Sequence, residues 1–186
     1  MIITMEKRRI KNLEMFKRSR VDKVLKQLKK SKSNYFSGEL NNIVFLDFDG
    51  VLNLDITNYT GNFKAKEPIA NLNKFCLENE FKIVVISSWR KSLNYKEILY
   101  ESGLDTRIEI LGATDVLEKD RESEVIDYLD KHQNTNKFII LDDGDFLELK
   151  KYQVQTVFEK GFDNKKYQEA CELINKIDWK SYRNKR

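Results

Sequence analysis

The stretch Ile43-Val44-Phe45-Leu46-Asp47-Phe48-Asp49-Gly50-Val51-Leu52-Asn53 constrains this chain more than any other. Four apolar residues run without alternation into two aspartates one residue apart, and then into a glycine. An unbroken apolar run predicts a strand covered on both faces, as in a parallel sheet. Gly50 lets the backbone turn sharply out of it. Asp47 and Asp49 are therefore expected at the carboxyl end of a central strand, where open α/β sheets place their ligand sites. They alternate with Phe48, so both carboxylates can face one cleft while the ring packs the other way. Carboxylates crowded in this way repel one another unless a cation joins them, and a hard divalent ion such as Mg²⁺ suits oxygen ligands. The pattern is not a helix-loop-helix calcium loop, which needs glycine at position six and glutamate at position twelve. Counted from Asp47, those places hold Leu52 and Asn58. An ordinary Asp-Gly turn accounts for Gly50 but not for a second aspartate at the strand end.

The 186 residues suffice for one domain with an appendage. Ile10, Leu13 and Phe16, then Val21, Val24, Leu25 and Leu28, recur at helical spacing, and Ser31 to Gly38 reads as a linker. This predicts a basic helical extension over 1–38 and a main domain over 39–186. Residues 1–40 hold 12 Lys/Arg against 4 Asp/Glu, whereas the remainder carries a net charge of −4. A basic arm on an acidic body points to an anionic partner such as nucleic acid, with a merely solvated amphipathic helix as the other reading. No apolar stretch reaches transmembrane length, and the first residues lack the apolar core of a secretory signal. Cys76 and Cys171 lie far apart and form no metal or redox motif, which fits a reducing cytoplasm. The single histidine, His132, lies in a charged helix end and reads as surface. Carboxylates must then carry any acid–base chemistry.

Along the chain, strands are expected at 43–48, 81–86, 108–112, 137–141 and 154–158. Helices are expected from Pro68 to about Asn79, at 94–101, from Asp120 to Lys131 and at 164–177, with 53–66 as a loop or flap over the cleft. The alternation predicts an α/β fold, a doubly wound, mainly parallel, five-stranded Rossmann-like sheet. Three of the strands end in polar groups: Asp47/Asp49, Ser87/Ser88 and Asp142/Asp143. In a parallel sheet these ends share one edge, so the groups can converge on one pocket.

This ordered set resembles the haloacid dehalogenase (HAD) superfamily of phosphohydrolases. Its first motif stands here as Asp47-Phe48-Asp49-Gly50-Val51, its second as Ile83 to Ser87, and its fourth as Ile139-Ile140-Leu141-Asp142-Asp143. FLDFDGVLN, ISSWR, the Gly112-Ala113-Thr114 turn, Arg121-x-x-Glu124-Val125 and ILDD are similar to a subgroup linked to RNA-repair proteins and related to polynucleotide phosphatases. The likeness covers about residues 42–175. It implies Asp47 as nucleophile and Asp49 as general acid and base. It further implies Ser87 as a phosphoryl hydrogen-bond donor, and Arg121 as the third-motif cation with Lys119 as the alternative. Mg²⁺ would be held by Asp47, the Asp49 backbone carbonyl and Asp142, with Asp143 beside them. Gly50, Ser88 and Arg90 are candidate substrate contacts, Arg90 for a second phosphate or else as a surface ion pair. Neither of the usual positions for a large cap domain has room for one. An open cleft suits a large substrate, and the basic arm favours nucleic-acid or nucleotide phosphate ends. Tyr35, Phe36, Tyr59, Phe63 and Trp89 are candidates for stacking on bases. The alternatives are a small-metabolite phosphatase of the same superfamily and a catalytically idle HAD fold that binds nucleic acid.

Overall fold

The computed structural model describes residues 39–55, 57–58, 63–91, 94–117 and 120–178. The expected N-terminal helix, Lys119, Tyr35, Phe36 and Tyr59 lie outside them. Five strands, β1 (Asn41–Leu46), β2 (Phe81–Val85), β3 (Ile110–Ala113), β4 (Thr135–Asp142) and β5 (Gln153–Gln155), form one sheet in the order β3-β2-β1-β4-β5. Every pairing is parallel. Among the described residues, three α-helices connect strands, α1 (Lys66–Asn79), α2 (Tyr95–Glu101) and α3 (Arg121–Lys131), and a fourth, α4 (Asn164–Lys176), follows β5.

Alternation along the buried strands sorts the core into two layers. Val44, Leu46, Ile139 and Leu141 pack with Leu72 and Phe75 of α1, Leu99 of α2 and Ala170 of α4. Ile43, Phe45, Phe138 and Ile140 pack on the other face with Val125, Ile126 and Leu129 of α3. Both faces of the sheet are thus covered, which is why its strands read as unbroken apolar runs.

Strand boundaries differ from the sequence expectation in ways the backbone explains. β1 starts two residues earlier because Asn41 finds a partner in Thr135, and it stops at Leu46 because the chain then turns through Gly50. β3 begins later, where the register shifts between Ile83 and Val84. β5 is short because the chain turns at Val157, whose carbonyl accepts from the Lys160 and Gly161 N–H groups at 2.9 and 2.8 Å.

That turn supports the loop after β1. The Phe162 N–H donates to the Val51 carbonyl at 2.9 Å, and the Asn71 amide holds the Phe162 carbonyl at 3.0 Å. Gly161 adopts φ +60, and a Cβ there would run into the Val51 carbonyl and the Leu54 side chain. Gly161→Ala is therefore expected to lower stability by roughly 1–3 kcal/mol in chemical denaturation, whereas a Gly→Ala change on a helix surface would raise it.

Candidate active site

Parallel register brings the carboxylates together. Leu46 sits opposite Leu141, and the Asp47 N–H donates to the Leu141 carbonyl at 3.0 Å, so Asp47 and Asp142 emerge side by side from adjacent strands. Both continue the strand face that packs on α3. Arg121 opens α3, whose first turn is capped by the Asp120 carboxylate accepting from the Ser123 N–H at 2.8 Å. Arg121 Nη1 lies 2.5 Å from Asp47 Oδ2 and 2.6 Å from Asp142 Oδ2. The guanidinium is thus a counter-ion of both acids. Burial alone would lower the Arg121 pKa, but the Asp47 and Asp142 carboxylates outweigh it and push it up.

Asp47 is 3% exposed, and its Oδ1 has no hydrogen-bond partner. The Phe48 N–H and the Ser87 hydroxyl lie close enough to favour the carboxylate, but neither completes a bond of good geometry to that oxygen. Burial, opposed by Arg121 and reinforced by Asp142, raises the Asp47 carboxyl to about 6. Asp142 is fully buried, with Oδ1 accepting from the Gly144 N–H at 2.7 Å. Asp143 is partly exposed, and burial followed by the Asp142 charge raises its carboxyl too. One ligand oxygen from each of Asp47, Asp142 and Asp143 lies within 4.8 Å of the others. Three hard oxygen donors around an unpartnered buried carboxylate oxygen fit a divalent cation such as Mg²⁺.

Gly50 is required by this cluster. It has φ +68, and a Cβ there would collide with the Asp143 carboxylate. Its carbonyl is fixed by the Thr156 hydroxyl at 2.7 Å, and Gln155 holds the Asp143 carbonyl at 3.1 Å. Asp49 lies outside the acidic cluster: its Oδ1 accepts from Asn53 Nδ2 and its Oδ2 from Trp89 Nε1, both at 2.8 Å. Ser87 is completely buried at the end of β2, and Ser88 is exposed at the start of a 3₁₀ helix, Ser88–Lys91.

Arg90 is a correction. The expected phosphate contact or surface ion pair is a buried clamp with a side chain 4% exposed. Nε donates to the Thr114 carbonyl, Nη1 to the Ile86 and Ser87 carbonyls, and Nη2 to Glu124 at 2.6 Å. Glu124 also accepts from the Leu117 N–H at 3.1 Å, so this pair ties the ends of β2 and β3 to α3. Phe63 and Trp89 are corrections as well. They pack with Phe48 in an edge-on aromatic cluster and are buried, so they offer no stacking platform. Sequence reasoning missed Asn53, Thr156 and the role of Trp89. Asn53 stands inside FLDFDGVLN with no local sign of its task, and Trp89 stands inside ISSWR, where sequence suggests a base-stacking ring rather than a hydrogen-bond donor.

Residues 43–167 match the family described as the HAD domain in Swiss Army Knife RNA repair proteins. The chain belongs to that family. Neither curated proteins nor solved structures give a match. A HAD domain carries the expected fold, and membership supports a HAD-type phosphatase whose acidic cluster fits a metal site. Among the described residues, no helix is long and apolar enough to cross a membrane.

The raised Asp47 carboxyl gives a sign for pH dependence. Native Asp47 holds its proton up to about pH 6, whereas an unfolded aspartate loses it near pH 3.9. Between those values the folded state binds more protons, so stability falls as pH rises. In EDTA, the parent is expected to lose on the order of 1–3 kcal/mol relative to Asp47→Asn between pH 4 and pH 7, read from paired thermal or denaturant melts.

Proposed function

We propose that the protein is a Mg²⁺-dependent phosphatase that acts through an aspartyl-phosphate on nucleic-acid or nucleotide phosphate ends. The observation that carries the chemistry is Asp47: a buried carboxylate with one unpartnered oxygen, set against Asp142, Asp143 and the Arg121 guanidinium. An exposed aspartate would be hydrated and a structural one would have both oxygens satisfied. Asp47, Asp142 and Asp143 would hold the metal, with the Asp49 carbonyl as a further ligand. When bound, the ion supplies positive charge that lets an anionic nucleophile meet an anionic phosphoryl group.

The remaining work falls to side chains. Asp47 forms a bond to phosphorus as the bond to the leaving oxygen breaks, and Asp49 gives that oxygen a proton. Water then attacks phosphorus, Asp49 takes its proton back, and the bond to Asp47 breaks to release phosphate. Arg121 and the Ser87 hydroxyl face the charge that develops on the phosphoryl oxygens.

Three features support the substrate class. The family description concerns RNA repair. Only residues 47–65 separate β1 from α1 and residues 114–120 separate β3 from α3, intervals too short for a lid domain. Residues 1–40 carry the basic excess that a phosphate backbone would attract.

Phosphate release from a 3′-phosphorylated oligonucleotide, a 5′-phosphorylated one and a mononucleotide tests the reading. Release is expected with Mg²⁺ and not with EDTA, and Asp47→Asn is expected to lower it at least about 10³-fold. Added salt is expected to raise KM for the oligonucleotides more than for the mononucleotide. No release from any substrate by a folded, Mg²⁺-binding protein would overturn the proposal.

A further inference from the structure

Asp49 is the group that this reading asks to give up and take back a proton, and it is not free to turn. Its two oxygens accept from two separate donors, Asn53 Nδ2 and Trp89 Nε1. Each donor is itself immobilised. Asn53 is 2% exposed and closes the turn that begins at Asp49: its N–H donates to the Phe48 carbonyl at 2.8 Å, and its carbonyl accepts from the Gly50 N–H at 2.9 Å. Trp89 is 8% exposed, with ring centroids 6.2 Å from Phe48 and 5.7 Å from Phe63, both edge-on.

We propose that Trp89 and Asn53 are positioning residues that fix the plane of the Asp49 carboxylate for proton transfer at the phosphoryl group held by Asp47. The proposal rests on the reading of Asp49 as general acid and base. A carboxylate on a single Cβ has two soft torsions, and one hydrogen bond to each oxygen fixes both. Unheld, Asp49 could swing toward the positive charge that the neighbouring acids gather, where it would be a ligand rather than a proton carrier. Donor identity matters as well. An indole N–H only donates and does not ionise in the working range, so it orients Asp49 without competing for the proton. A hydroxyl or imidazole in that place would offer a lone pair and a false destination. Packing alone does not explain the choice, since phenylalanine would fill the same cluster beside Phe48 and Phe63 without a polar atom.

The test compares two leaving groups. A 3′-phosphorylated dinucleotide expels a sugar hydroxyl that needs a proton, whereas 4-nitrophenyl phosphate expels a stable phenolate that does not. kcat/KM reports the steps up to cleavage of that bond, and Asp49→Asn calibrates the signature of a lost acid. Trp89→Phe is expected to lower kcat/KM for the dinucleotide by at least about tenfold more than for the aryl phosphate, and Asn53→Ala to do the same. Replacing Trp89 by benzothienylalanine, which keeps the bicyclic shape and lacks the N–H, should give the same selective loss with an unchanged melting temperature. If Asp49→Asn shows the selective loss and these variants show an equal loss on both substrates, or none, the positioning role is overturned. If Asp49→Asn itself shows no selectivity, the acid–base reading fails and takes the positioning role with it.

Discussion

Like charge at the end of two adjacent buried strands is the constraint on which this structure depends. Parallel pairing of β1 with β4 leaves Asp47 beside Asp142, and Asp143 follows at once. Burying ionised carboxylates is costly unless positive charge is close. In the protein alone, one guanidinium meets that demand, and Arg121 can supply it because α3 packs on the strand face that both aspartates continue. The same crowding of oxygen donors fits the site to a hard cation.

Holding such a site together falls to polar clamps in the loops at the carboxyl edge of the sheet. Arg90 and Glu124 bind three elements through a buried ion pair and backbone contacts. Glu122 accepts from the Glu148 and Leu149 N–H groups at 2.7 and 2.8 Å and so closes the loop beyond Asp143. Thr156 fixes the carbonyl of Gly50, and Gln155 that of Asp143. Each clamp uses a buried donor or acceptor that would be expensive to leave unmade, so the loops carry specified positions rather than a range.

The sheet and its acids were legible because both express one physical rule. Strands covered on two faces are unbroken apolar runs, and the residues that end them are displayed where the next loop begins. The place of Arg90 is not legible in the same way, because sequence shows its charge and not its direction. The 3₁₀ turn after Ser87 swings the guanidinium inward onto carbonyl oxygens and sends the Trp89 indole toward Asp49. Trp89 and Phe63 looked like stacking surfaces for the same reason: an aromatic near a cleft is recognisable, but whether its face is covered depends on neighbours distant in sequence. Thr156 carries no local signal, since its partner Gly50 is 106 positions away.

Identifying the atom that becomes phosphorylated tests the central claim most directly. The parent would be incubated with Mg²⁺ and the best phosphorylated oligonucleotide, quenched, and reduced with borohydride, which converts an aspartyl-phosphate to homoserine. Mass spectrometry of the peptide spanning 43–53 is predicted to place homoserine at Asp47 and nowhere else. Steady phosphate release without modification of Asp47, or with modification at Asp49 instead, would contradict the account.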